Sequence, residues 1–185
     1  EMCIRDRFHI ALQTEDYSKS ISCVMKKGVR TREQEEELVT AFVVNMLLEA
    51  AGLDFSYPEM PETYDVDKVC AKEGWRELMR EEIQFISSHN EEPKLIFPGA
   101  FNPIHKAHLE MAALAKKQIE KEVFFEVCIQ NADKPPLSYH QIDSTLKQFT
   151  QSDKWVLTKT GKFSDKAMIF NCLLYTSDAA DEDLR

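Results

Sequence analysis

No stretch of this chain is apolar for long enough to span a bilayer, and no basic-then-apolar leader opens it. It has no CxxC pair and no zinc-type spacing. The five cysteines, Cys3, Cys23, Cys70, Cys128 and Cys172, are scattered, a pattern that suits reduced thiols in a cytoplasmic protein. Positive charge is in deficit. The net charge of −9 excludes a general electrostatic pull toward DNA, RNA or anionic membrane, so an anionic ligand needs a local positive site. There is no internal repeat. What remains is a globular chain long enough for one ordinary domain or two small ones. Its expected location is cytoplasmic and its expected partners are small molecules.

Both ends stand apart from the rest. "EMCIRDR" (residues 1–7) and "CLLYTSDAADEDLR" (residues 172–185) resemble translated sequencing adapter, each a reading frame of the mosaic end used in library preparation. They are set aside as tags are. On that reading the natural protein is cut at both ends, and Cys3 and Cys172 carry no meaning.

Between the ends, "FHIALQT" (8–14) and "SISCVMKKG" (20–28) alternate apolar and polar residues and predict a strand pair. A helix follows, with Thr31 and Gln34 spaced as a capping box, acidic residues in its first turns, and Leu38, Phe42 and Met46 on one face. Gly52 ends it. "DFSYPEMPETYD" (54–65) reads as a linker, and 66–89 as an amphipathic helix carrying Trp75, Leu78, Met79, Ile83 and Ile86. Residues 55–93 thus separate two units. The second unit, 94–171, alternates strand and helix: "KLIF", a helix over 106–120, "VFFEVCIQN", a loop, "HQIDSTLKQF" and "KWVLTK". That alternation predicts an α/β fold with a parallel, doubly wound sheet.

In such a sheet, ligands sit at the carboxyl ends of the strands. The loop after "KLIF" leaves at that edge. Gly99 permits a tight turn there, Pro103 stiffens the exit, and His105 and His108 stand at i and i+3 at the head of a helix. A helix amino end offers unpaired N–H groups and a positive dipole end. Together these form a clamp for a phosphate whose charge grows during reaction. A metal site is the alternative for such a pair, but no third ligand accompanies it, so no metal ligands are assigned. Two solvated surface histidines are the plainer alternative.

"GAFNPIHKAH" resembles the GxFxPxHxGH signature of the nucleotidylyltransferase superfamily, which includes nicotinamide- and nicotinate-mononucleotide adenylyltransferases, phosphopantetheine adenylyltransferase and cytidylyltransferases. Gly99, Phe101, Pro103, His105 and His108 match by position. The resemblance implies a Rossmann-like sheet and direct nucleotidyl transfer. An acceptor phosphate attacks the α-phosphate of a nucleoside triphosphate, expected to be ATP, and pyrophosphate leaves. It implies His105 and His108 as catalytic residues, Gly99, Ala100, Phe101 and Asn102 beside them as nucleotide-binding residues, and Mg²⁺ travelling with the triphosphate. It implies further that Lys134, in the loop after the second strand, contacts the acceptor phosphate, with Asp133 orienting it; a solvated loop lysine is the alternative. Ala107 departs from the signature, standing where the family has glycine. The family's second phosphate-gripping motif, S-S/T-x-x-R/K, is not found before residue 171. The chain as it stands is therefore expected not to turn over.

Residues 8–53 resemble the closing portion of the CinA carboxy-terminal domain, a nicotinamide-nucleotide amidase family, through the strand pair and "KGVRTREQEEELV" leading into a helix. The catalytic residues of that family lie further upstream than this match, so none is assigned here. Arg30 and Arg32 read as solvated helix-start charges, with a phosphate contact as the alternative. The resemblance implies a partial α/β unit over 8–54 and tilts the expected acceptor toward nicotinamide or nicotinate mononucleotide. Two other functions stay open: a nucleotide-binding module that has lost catalysis, and an amidase for which the histidine domain is a scaffold.

Overall fold

The structure is a computed structural model of the chain that describes residues 7–130, 135–171 and 173–174. It divides into two compact units, Glu1–Ala71 and Lys72–Arg185.

In the first unit, β1 (Arg7–Gln13) and β2 (Tyr17–Val24) form the expected antiparallel pair, and β3 (Tyr64–Cys70) joins the other side of β2. The register aligns Phe8 with Cys23 and Cys23 with Tyr64, so alternate residues of all three strands share one face. Helix α1 (Arg32–Ala50) supplies Phe42 and Met46 to the core beneath that face, with Phe8, Ile21, Cys23 and Met25. Its amino end carries the expected capping box: the Gln34 N–H donates to Thr31 Oγ1 at 3.3 Å, and the Thr31 N–H donates to Gln34 Oε1 at 2.9 Å. Gly52, at φ +69°, takes the left-handed turn just past the helix. Arg30 is not a bare solvated charge. It grips Glu62 through two N–H···O bonds of 2.8 and 2.9 Å, and the Lys26 N–H donates to the same carboxylate at 3.1 Å. Arg32 is the solvated one, highly exposed beside Glu36.

The expected linker and helix over 55–93 are not what forms. Tyr64–Cys70, without regular alternation, takes the free edge of β2 as a strand. Gly74, at φ +80°, and Glu81, at φ +63°, both leave the helical region, so only Trp75–Met79 remains helical as α2. Phe85–Ser87 then becomes a strand, β4. The spacing of Trp75, Leu78 and Ile86 that suggests one long helix serves a short helix and a strand instead. Trp75 and Leu78 are buried, and Ile86 lies beside Gly74, where an added Cβ would approach its Cδ1 to 3.1 Å.

The second unit is a five-stranded sheet in the order β4-β7-β6-β5-β8. Strands β5 (Leu95–Pro98), β6 (Val123–Cys128) and β7 (Lys154–Thr158) are mutually parallel, and β4 closes the far edge antiparallel to β7. Between them run α3 (Lys106–Ile119) and α4 (Tyr139–Leu146). After β7 comes α5 (Phe163–Phe170), and then Leu173–Leu174, inside the stretch set aside as adapter-like, pairs with Leu95 and Ile96 as the parallel strand β8. The strand order therefore turns back at β5, with β6 on one side and β8 on the other. This is a Rossmann-like mixed α/β fold, and in such folds the turning point is where a crevice opens. The loops after β5, β6 and β7 all leave at its carboxyl edge.

The two faces of the sheet differ. Phe97 and Phe125 carry one face, and His108 of α3 approaches Phe97 at 6.2 Å between ring centroids. The opposite face packs Ile96, Phe124 and Val156 against Phe170 of α5. An ion pair is buried on this second face. Lys166 Nζ of α5 lies 2.9 Å from Glu126 Oε2, with side-chain exposures of 4% and 1%. Thr158 Oγ1 donates to the other carboxylate oxygen. Among the described residues no helix is long and apolar enough to cross a membrane.

Two outcomes follow from these contacts. Lys166→Met leaves Glu126 buried without its cation and should destabilise the second unit by about 3–5 kcal/mol, whereas replacing both partners with apolar residues should recover most of that loss; urea unfolding followed by tryptophan fluorescence reads both. In the first unit, the Arg30 hydrogen bonds, followed by the Lys26 amide, pull the Glu62 carboxyl from its ordinary 4.5 down to about 2. Between those values the unfolded chain binds the extra proton. The stability contributed by this pair is thus complete above pH 4.5 and lost as pH falls toward 2. Proton NMR of the Tyr64 ring should follow that loss, and Glu62→Gln should remove this component of the acid dependence.

Candidate functional site: the loop from β5 to α3

The site begins at the end of β5, where the Gly99 N–H donates to the Glu126 carbonyl at 3.1 Å and carries the sheet pairing one residue past the strand. The chain then reverses. Phe101 takes φ +45° and turns its ring back over Gly99. A Cβ on Gly99 would lie 2.6 Å from Phe101 Cζ and 2.7 Å from Cε1, so only glycine leaves room for this ring. The physical reason for the glycine differs from the tight turn that the sequence suggests. Its missing side chain is replaced by an aromatic ring from two residues on.

Phe101 is 2% exposed. It meets Phe97, Phe125 and Phe149 edge-on, at centroid distances of 5.8, 5.3 and 5.8 Å. Its side chain thus belongs to the core, and only its backbone faces the loop. The Asn102–Pro103 peptide is cis. Ala100, Asn102 and Pro103 are exposed.

His105 is the N-cap of α3 and His108 is its third residue. The His105 N–H donates to His108 Nδ1 at 3.0 Å. A ring nitrogen that accepts cannot also hold a proton, so the His108 proton sits on Nε2, at the far side of the ring. The two imidazoles lie nearly parallel, 20° apart with centroids 5.6 Å apart, and the face of one is bracketed by the edge-on ring of Phe101 at 5.3 Å. His105 is exposed and His108 half-buried. The first-turn N–H groups of Lys106 and Ala107 precede any intrahelical acceptor. The Ala107 methyl is on the exposed side. The arrangement offers imidazole N–H, helix N–H and the positive end of a helix dipole at the carboxyl edge of a parallel sheet, which suits an anion of high charge.

Of the residues singled out in the sequence, Gly99, Ala100, Phe101, Asn102, His105 and His108 are brought together in this one loop. Lys134 and Asp133 lie outside the described residues. After them, the Leu137 N–H donates to the Ile129 carbonyl at 2.8 Å. Sequence reasoning passes over Gln148, whose side chain bonds the Phe101–Ile104 turn, and over Glu126 and Lys166 beneath the sheet edge. No periodicity marks Gln148, because it acts on residues more than 40 positions earlier in the chain. Cys128 closes β6. Burial, then the Glu126 charge, push its thiol up, away from the thiolate form.

A Rossmann-like sheet with a histidine-bearing loop at its turning point places the candidate site where open α/β sheets bind ligands. Residues 96–168 match the family model described as cytidylyltransferase-like, of the nucleotidyltransferase superfamily, and the match supports nucleotidyl transfer in general as the chemistry of this stretch. No curated protein and no solved structure matches the chain.

Gly99→Ala should force the Phe101 ring out of its place. We expect a loss of about 1–3 kcal/mol in urea unfolding, accompanied by the loss of the upfield ring shifts that Phe101 imposes on its neighbours. An unchanged spectrum would show that the ring has room to move.

Proposed function

We propose that the second unit transfers a nucleotidyl group from ATP to a phosphate-bearing acceptor. A phosphate oxygen of the acceptor forms a bond to the α-phosphorus, the bond from that phosphorus to the bridging oxygen breaks, and its electron pair leaves on pyrophosphate. No covalent enzyme intermediate is involved. The observation that carries this reading is the His105–His108 pair at the head of α3, with the His108 proton held on Nε2 by the hydrogen bond to Nδ1.

Charge on the non-bridging oxygens and on the leaving pyrophosphate rises in the transition state. Donors already in place stabilise that charge more than they stabilise the bound substrate, and only that difference speeds the reaction. His108 Nε2–H would be one such donor, His105 a second, and the α3 amino end the background field. Magnesium enters as part of the triphosphate substrate. Among the described residues no group of three His, Cys, Asp or Glu side chains could hold a metal. Two imidazole nitrogens alone do not suit an ion that prefers six oxygens. No step is assigned to a resident metal.

For the acceptor we favour nicotinamide or nicotinate mononucleotide, because residues 8–53 resemble the end of a nicotinamide-nucleotide amidase domain and the two chemistries share a substrate class. Lys134, from the loop that leaves β6, would meet the acceptor phosphate. A second reading, binding of nucleotide without turnover, is favoured by one feature: Ala107 puts a methyl group where glycine would let the nucleotide approach the helix backbone.

The test is His105→Ala in the full reading frame that encodes this chain, assayed for pyrophosphate release from ATP and nicotinamide mononucleotide. Turnover should fall about 10²–10³-fold, while stability changes by no more than about 0.5 kcal/mol, since the side chain is exposed. Equal turnover with and without the imidazole would remove the histidine from the mechanism. Nucleotide binding with no pyrophosphate release by the unaltered protein would favour the second reading.

A further inference from the structure

We propose that Gln148 is a positioning residue that sets the geometry of the histidine pair from the far side of the loop. Its consequence for catalysis rests on the nucleotidyl-transfer reading, but its geometry does not. Gln148 follows α4, one residue past the C-cap Lys147. Its side-chain amide is used at both ends. Oε1 accepts the Ile104 N–H at 2.8 Å, and Nε2 donates to the Phe101 carbonyl at 3.1 Å and to the Ser144 carbonyl at 3.4 Å. The amide thus closes the turn from Phe101 to Ile104 by bonding its first carbonyl and its last N–H. The third contact ties that turn to the last turns of α4.

What lies downstream of this clamp is the histidine pair. Ile104 is joined directly to His105, and the His105 N–H is the donor that fixes the tautomer of His108. Gln148 holds the Pro103–Ile104 peptide through the Ile104 N–H, and the His105 N–H belongs to the very next peptide, so a shift of the first carries the second through the Ile104 dihedrals and moves the His105 N–H off His108 Nδ1. Once that bond is lost, nothing prevents the His108 proton from exchanging between the two ring nitrogens, and Nε2–H ceases to be a fixed donor. Helix capping alone does not supply this control. The cap needs the His105 backbone in an extended conformation, and the preceding turn carries Phe101 in the left-handed region, so the approach to His105 is set by that turn and not by the helix.

The position of Gln148 is itself held. The next residue, Phe149, stacks on Phe125 with centroids 5.3 Å apart and planes 30° apart, and meets the Phe101 ring edge-on. One dipeptide thus grips the loop twice, through an aromatic contact to the Phe101 ring and through the amide to the Phe101 and Ile104 backbone. The chemistry of Gln suits the task. A turn that presents one carbonyl and one N–H needs a side chain with both an acceptor and a donor. Glu supplies only the acceptor when ionised, and Met, of similar length, supplies no donor and only a weak sulfur acceptor.

The experiment uses the 185-residue chain with ¹⁵N-labelled histidine, unaltered and as Gln148→Met and Gln148→Glu. Ring ¹⁵N–¹H correlations read the His108 tautomer, and titration with ATP in excess Mg²⁺ reads binding. The unaltered chain should show His108 as the Nε2–H form alone. Gln148→Met should show a mixture of tautomers and weaken ATP about 10-fold, and Gln148→Glu, which keeps the acceptor for Ile104, should fall between. Gln148→Met and Gln148→Glu with the unaltered His108 tautomer would overturn the proposal, even if ATP binding weakened. If Gln148→Met does not fold, the Gln148→Glu spectrum decides by the same criterion. If the tautomer shifts as expected while no form of the chain binds ATP, the positioning role stands and the nucleotide reading falls.

Discussion

Much of the second unit depends on where one aromatic ring is placed. Phe101 lies in the middle of a loop that would otherwise be a polar surface segment, yet its ring is buried among Phe97, Phe125 and Phe149. The burial of an aromatic side chain is worth several times a single hydrogen bond. It draws the loop down onto the sheet and forces the chain through a left-handed residue to do so. The glycine at 99 is the counterpart of that ring, since any Cβ there would occupy the same space. With the ring seated, the chain leaves toward α3 from a fixed point. Both histidines then start from a rigid base.

The opposite face of the sheet is organised by a different constraint. Glu126 sits in the central strand β6 with its carboxylate away from water, and Lys166 and Thr158 make that tolerable. A buried ion pair contributes little net stability compared with an apolar pair of the same size, but it penalises every arrangement in which the partners are separated. Here it ties α5 to the strand next to β5. The backbone of the same residue holds the start of the histidine loop through Gly99. The two faces of the sheet are thereby joined at one residue, with the carbonyl of Glu126 serving the loop and its side chain serving α5.

The first unit rests on simpler physics. Three antiparallel strands place alternate side chains beneath α1, and Phe42 fills the centre against Phe8, Tyr57 and Tyr64. Its charged groups are spent on structure. Arg30 and Glu62 close the approach to the helix, and Lys19, Glu49 and Tyr57 form a second cluster. Both clusters tie side chains of this unit to one another across 8 residues or more.

The elements with strong local signals are those the sequence determined by itself. The β1–β2 pair, the capping box of α1, the strands β5, β6 and β7 and the helix α3 all follow from alternation, cap chemistry and helical spacing, which act over a few residues. So does the signature Gly99–His108, because strand, loop and helix are contiguous. Only the tertiary structure decided the rest. Tyr64–Cys70 became a strand because β2 had an open edge, and Phe85–Ser87 because β7 did, and an unpaired edge is invisible in the neighbouring residues. The reason for Gly99 emerged only with the Phe101 ring in place. Gln148 reaches Ile104, and Lys166 reaches Glu126, across 40 residues or more. Side-chain hydrogen bonds over that span carry no periodicity, so nothing in the linear order could have marked them. The sheet order that turns back at β5 is likewise set by packing on two faces at once, and that is what puts the histidine loop at an open edge.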